Sequence, residues 1–152
     1  MIEESPKGTL QDGERTSIVD FINARLSDDE RTANSAGGGS WRWQTGPAER
    51  DGIVDHEGVL RLWDGDDGAG GIDCLGDENV HIVRHDPDRV LREVASKRAI
   101  IGEHSDDEGQ CARCLDSDGI TYLGAYTAPW PCPTLRALAA VYSDHPDYRP
   151  DW

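Results

Sequence analysis

Long apolar runs are missing from this chain of 152 residues. No stretch approaches the roughly 20 consecutive apolar residues that a membrane-spanning helix needs. The opening segment, MIEESPKGTLQDGERT, is acidic and polar and has no apolar h-region, so no secretion signal is read there and the expected compartment is the cytoplasm. Lysine is also scarce: of the 15 basic residues only Lys7 and Lys97 are lysines, a skew that points to a high-GC genome and carries no mechanism. Apolar residues make up only 36% of the chain, so part of it must be loop or tail. Positive charge is in deficit: 15 bases stand against 30 acids, a net charge of −15. Such a surface repels a phosphate backbone and argues against direct nucleic-acid binding. It favours solubility, basic partners or cation uptake. No internal repeat, no Gly-x-Ser-x-Gly elbow and no serine with an evident paired base is present, so no nucleophile stands out.

What is present reads as one α+β domain: three or four helices, a small antiparallel sheet and a zinc-knuckle loop. Residues 1–15 are expected to be a disordered leader, and residues 16–152 a single domain ending in an aromatic tail. In SIVDFINARLSDDERTA, Ile18, Phe21, Ile22 and Leu26 repeat with helical spacing, and Ser17 is suited to cap the helix. The NSAGGGS stretch that follows reads as a flexible connector. Trp41 and Trp43 alternate with polar residues as on a half-buried strand, and GIVDHEGVLRLW predicts a hairpin turning at Gly58. Asp77 opens a short helix that runs to about His85. Asp86-Pro87 breaks it, and a longer helix extends from Pro87 to about Gly102 with Val90, Leu91, Val94, Ala95 and Ile101 on one face. A last helix starts with Pro133 and carries the stripe Leu135, Leu138, Ala139 and Tyr142, and SDHPDYRPDW closes the chain as an extended tail.

Cysteine carries the strongest chemical signal. Cys111-x2-Cys114 has knuckle spacing, and Cys132 follows after 17 intervening residues. A paired zinc ribbon would place another Cys-x-x-Cys there, but Leu135 stands in the fourth place. The remaining ligand must come from elsewhere. His104 is the preferred candidate, giving His104, Cys111, Cys114 and Cys132, and Cys74 is the alternative. Three thiolates and an imidazole complete a tetrahedron and leave no open position, which makes the expected zinc structural and not catalytic. A redox Cys-x-x-Cys pair and free cysteines remain open as other readings. His81 and His85, four apart on a helix, could share a metal, but Ile82 stands where a zincin has glutamate. The acidic loop starting at Asp64 and Asp66 lacks calcium ligands at Gly68 and Leu75 and reads as solvated. Tyr142, His145, Tyr148 and Trp152 either pack back onto the domain or dock a partner.

The segments HIVRHDPDRVLREVASKR and CPTLRALAAVYSDHPDYRPDW, with IVDFINARLSDDERTA, resemble a group of small acidic actinobacterial and actinophage proteins of unknown function. The resemblance implies an intracellular bacterial or phage setting and brings no activity or catalytic residue with it. The leading expectation is a non-enzymatic, zinc-stabilised module that docks a host or phage protein with a basic surface. An inhibitor that mimics DNA through its acidic surface is the first alternative. A metal-dependent hydrolase built on His81, His85 and loop aspartates is the second.

Overall fold

Two kinds of helix start are written in the sequence, and both form. In the computed structural model, which describes residues 16–45, 51–63, 77–115 and 127–152, the elements in chain order are α1 (Ile18–Ser35), β1 (Arg42–Gln44), β2 (Gly52–Val54), β3 (Leu60–Trp63), α2 (Asp77–Arg84), α3 (Pro87–Glu103), β4 (Asp106–Asp107), β5 (Gln110–Leu115), β6 (Thr127–Pro129) and α4 (Pro133–Ala140). The residues expected as a leader, the acidic loop and Cys74 lie outside the described residues.

Ser17 caps α1 by accepting from the Asp20 amide at 3.1 Å, which satisfies one of the free N–H groups of the first turn. Asp86 does the same for α3 and also ties two elements together. One of its oxygens accepts from the Arg89 amide at 2.8 Å and the other from the Trp41 amide at 3.1 Å. Pro133 starts α4 at a position where its missing N–H costs nothing.

The apolar stripe of α1 packs on α3 and α4. Ile18, Phe21, Ile22 and Leu26 meet Val94, Ile101, Leu135 and Ala139 in one core that also takes in Cys111 and Cys132. An ion pair of 2.8 Å between Arg98 and Glu30 bridges the rim of the α1–α3 contact. Of the expected α3 face, Val94 and Ile101 are buried, Val90 and Leu91 are partly buried, and Ala95 is exposed.

Two three-stranded antiparallel sheets form among the described residues, ordered β1-β2-β3 and β4-β5-β6, where one sheet was expected. The first contains the predicted hairpin, with Ile53 opposite Leu62 and Gly58 at φ 84° in its turn. The second holds the cysteine segment read from sequence as a loop. Its hairpin pairs Asp106 with Cys111 and turns through Glu108 and Gly109, both at positive φ.

Two further expectations need correction. The Gly-rich stretch is a defined turn and not a flexible connector. Gly37, Gly38 and Gly39 all hold positive φ, and a methyl group on Gly39 would run into the His56 ring. Glycine is required there for both backbone and space. The C-terminal segment is also not extended. Successive turns, with Ser143 N–H donating to Ala140, His145 to Tyr142 and Tyr148 to His145, curl it back over α1.

The hairpin turn is organised by a residue the sequence reading passed over. Asp55 is fully buried, and its carboxylate accepts from the Glu57 amide at 2.9 Å, the Val59 amide at 2.8 Å and Arg61 Nε at 2.8 Å. Burial pushes its carboxyl up, but the Val59 amide, Arg61 and the Glu57 amide together hold it below its ordinary 3.8. A depressed carboxyl stabilises the fold above its unfolded-state value, and that stabilisation fades as pH falls through the lower folded-state value. Asp55→Asn is therefore expected to lower the urea midpoint at neutral pH. The gap between variant and parent should narrow on acidification below 3.8, and a gap independent of pH would remove the ion-pair explanation.

Candidate metal centre

Three separate elements deliver the cluster. His104 is the C-cap of α3, fixed by its own N–H donating to the Ile101 carbonyl at 3.1 Å. Cys111 and Cys114 lie on β5, and Cys132 is the N-cap of α4, reached through a cis Trp130–Pro131 bond. Backbone pairing sets their approach: Ala112 N–H donates to Ser105 at 3.0 Å and Trp130 N–H to Gly109 at 2.9 Å, so both flanks of β5 are held. The four ligand atoms all lie within 4.8 Å of one another. Among the described residues this is the group of histidine, cysteine or carboxylate side chains close enough to share an ion.

The distances fit a coordinated ion better than hydrogen bonds. His104 Nδ1 stands 3.4 Å from Cys111 Sγ, 3.4 Å from Cys114 Sγ and 3.5 Å from Cys132 Sγ. One ring nitrogen carries at most one proton or one free lone pair, so it cannot serve three sulfurs at once. A tetrahedral ion with metal–sulfur bonds of about 2.3 Å and a metal–nitrogen bond of about 2.0 Å would separate nitrogen from sulfur by roughly 3.5 Å. The observed spacing is close to that value, so the residues present fit a tetrahedral metal. His104, Cys111, Cys114 and Cys132 can hold one.

The electrostatics of the sulfurs differ. Burial pushes the Cys111 thiol up, yet the amides of Arg113 and Cys114, His104 and Cys132 overbalance it and bring it down to about 6. Those two amides are the knuckle's own N–H groups, turned towards the first sulfur by the Cys-x-x-Cys bend. Cys114 is raised, by burial first and by the neighbouring Cys132 and Cys111 sulfurs, against the lowering effect of Thr134. Thr134 Oγ1 lies 3.8 Å from Cys114 Sγ. Sequence reasoning missed that hydroxyl, although its place two residues after Cys132 in the first turn of α4 is a readable signal.

His81 on α2 and His85 just past its end face each other with ring centroids 4.5 Å apart, and among the described residues no third metal-binding side chain joins them. The tail aromatics are drawn onto α1. Phe21 is ringed by Tyr142, His145, Tyr148 and Trp152 at centroid distances of 6.4, 5.8, 6.1 and 4.8 Å. The Tyr142 hydroxyl donates to Asp29 at 2.6 Å, and Arg25 reaches a His145 ring nitrogen at 2.6 Å. Only the outer parts of these four side chains remain for a partner to meet. No described helix is long and apolar enough to cross a membrane.

No curated protein and no solved structure matches the chain. One family profile does, over residues 15–152, taking in both flanks of the cysteine cluster, α1 and the aromatic tail; the chain belongs to that family of unknown function, DUF6221.

Proposed function

We propose that the chain is a non-enzymatic protein-interaction module, in a bacterial or phage setting, whose fold is fastened by one structural zinc ion on His104, Cys111, Cys114 and Cys132. The observation that carries this reading is the convergence of three sulfurs on one imidazole nitrogen, at 3.4, 3.4 and 3.5 Å. Three soft thiolates and a nitrogen favour zinc over magnesium or calcium, which take oxygen ligands. With every coordination position filled by protein, the ion has no place for an activated water, and its part is to join the end of α3, β5 and the start of α4.

The interaction reading is supported by charge. The β4–β5 hairpin that the metal would order carries Glu103 at its base, Asp106 and Asp107 on β4 and Glu108 in its turn, all exposed. On a chain of net charge −15, that turn suits a partner with a basic surface. A DNA-mimicking inhibitor would use the same charge, and competition by duplex DNA for the partner separates it from a module that binds elsewhere.

Purified protein is expected to retain one zinc per chain through dialysis. Its cobalt(II) form should show the intense visible absorption of a tetrahedral thiolate site. Binding to a basic partner should weaken as salt is raised. Metal content near zero after reconstitution would sink the zinc reading, and salt-independent binding the acidic docking.

A further inference from the structure

We propose that Cys114 is a site of oxidative modification at which a hydroperoxide opens the clamp, an inference that rests on the zinc reading above. The three sulfurs are not equivalent. Cys111 and Cys132 are each 0% exposed, whereas Cys114 is only partly buried and can be reached from solvent. From outside the cluster, Cys114 Sγ is approached by the Thr134 hydroxyl at 3.8 Å, a long and therefore weak contact. Access thus singles out Cys114, and the two buried sulfurs lie within 4.8 Å of it, close enough to complete a disulfide.

The chemistry balances within the cluster once a hydroperoxide is supplied. The Cys114 sulfur attacks the peroxide's outer oxygen, the O–O bond breaks, and the alcohol (water, from hydrogen peroxide) leaves with a proton. Cys114 is then a sulfenic acid. The thiolate of Cys111 or Cys132, both within 4.8 Å, attacks that sulfur and displaces hydroxide, which takes a proton to become water. Two thiolates, one hydroperoxide and two protons give one disulfide, one alcohol and one water; the sulfurs lose two electrons and the peroxide gains them. His104 and one thiolate remain, too few to keep a structural ion. The clamp between α3, β5 and α4 is replaced by a covalent link within the cluster, and a thiol reductant restores the original ligands.

The test uses the zinc-loaded full chain, its metal content measured first. Hydrogen peroxide is added in the presence of a colorimetric zinc indicator, with and without a 1,3-dione that traps sulfenic acids, and the products are mapped by peptide mass spectrometry. The expected result is loss of the bound zinc in step with a disulfide that includes Cys114, a dione adduct on Cys114, and renewed zinc uptake after reduction. Retention of zinc under excess peroxide, or an adduct on Cys111 or Cys132 instead, overturns the inference and leaves the zinc reading standing. A chain that neither carries nor takes up zinc removes both.

Discussion

Removal of the metal by a strong chelator is expected to unfold the β4-β5-β6 sheet and release α4, with loss of the cooperative thermal transition. The reason is one of scale. Structural zinc contributes on the order of 10 kcal/mol in small domains, comparable with the roughly 5–15 kcal/mol of net stability of a whole domain. Apart from Cys111, Ala128 and the neighbouring Trp130, the second sheet brings little apolar surface to the core. Of the residues in β4, Asp106 and Asp107 are exposed, and on β5 Ala112 and Arg113 face solvent while Cys111 is buried. Apolar burial cannot sustain such strands, whereas coordination can. Cys132→Ser should reproduce the effect without chelator, because Cys132 is fully buried and sits where α4 begins. The measurement is circular dichroism through a thermal ramp, with zinc added back to restore the signal. A chelated chain that melts at the parent temperature would show that the four side chains meet without an ion.

The helical part of this fold is legible from sequence because its signals are local. The stripe Ile18, Phe21, Ile22, Leu26 and the capping serine Ser17 lie within one window, and each finds its predicted place. Asp86-Pro87 separates α2 from α3 for the same reason. Cys111, Cys114 and Cys132 could be read from their spacing, and His104 from its place at the end of a helix just before them, with Cys74 left as the alternative until the fold brings the four together. The second sheet could not. Its middle strand, Gln110–Leu115, puts ligands at an interval of three and so breaks the period-two pattern by which strands are recognised. The Gly-rich turn hides because glycine marks freedom as readily as constraint; only the neighbouring His56 and Arg61 side chains decide between them. Asp55 hides among the chain's 30 acids, for nothing local distinguishes a buried carboxylate from a solvated one until Arg61 is folded against it.

The aromatic tail poses the remaining question of scale, and Phe21→Ala is the substitution that answers it. Phe21 is the chain's one phenylalanine, 2% exposed, and four rings from the C-terminal segment converge on it. Truncating a buried phenylalanine costs about 3–5 kcal/mol through lost transfer energy and the cavity left behind. Here the loss has a second part, because the tail has no helix or strand of its own after α4 and depends on that ring. Trp152 at 4.8 Å and Tyr148 at 6.1 Å would lose their shared contact together. Polar pins remain: Tyr142 to Asp29 at 2.6 Å, and Arg25 to His145. Burial, then Asp29, raises the Tyr142 hydroxyl far above its ordinary value of 10.0, so it stays protonated and keeps donating. Hydrogen bonds to charged groups such as Asp29 and Arg25 contribute about 1.5–3 kcal/mol each, less than the buried ring they surround. Phe21→Ala is therefore expected to lower the unfolding midpoint strongly and to expose the tail to carboxypeptidase, while Tyr142→Phe should lower stability by about 1.5–3 kcal/mol and leave the tail protected. Equal protection of parent and Phe21→Ala would mean that the tail is held by its polar contacts, and the aromatic cluster would lose its place as the anchor of the C-terminus.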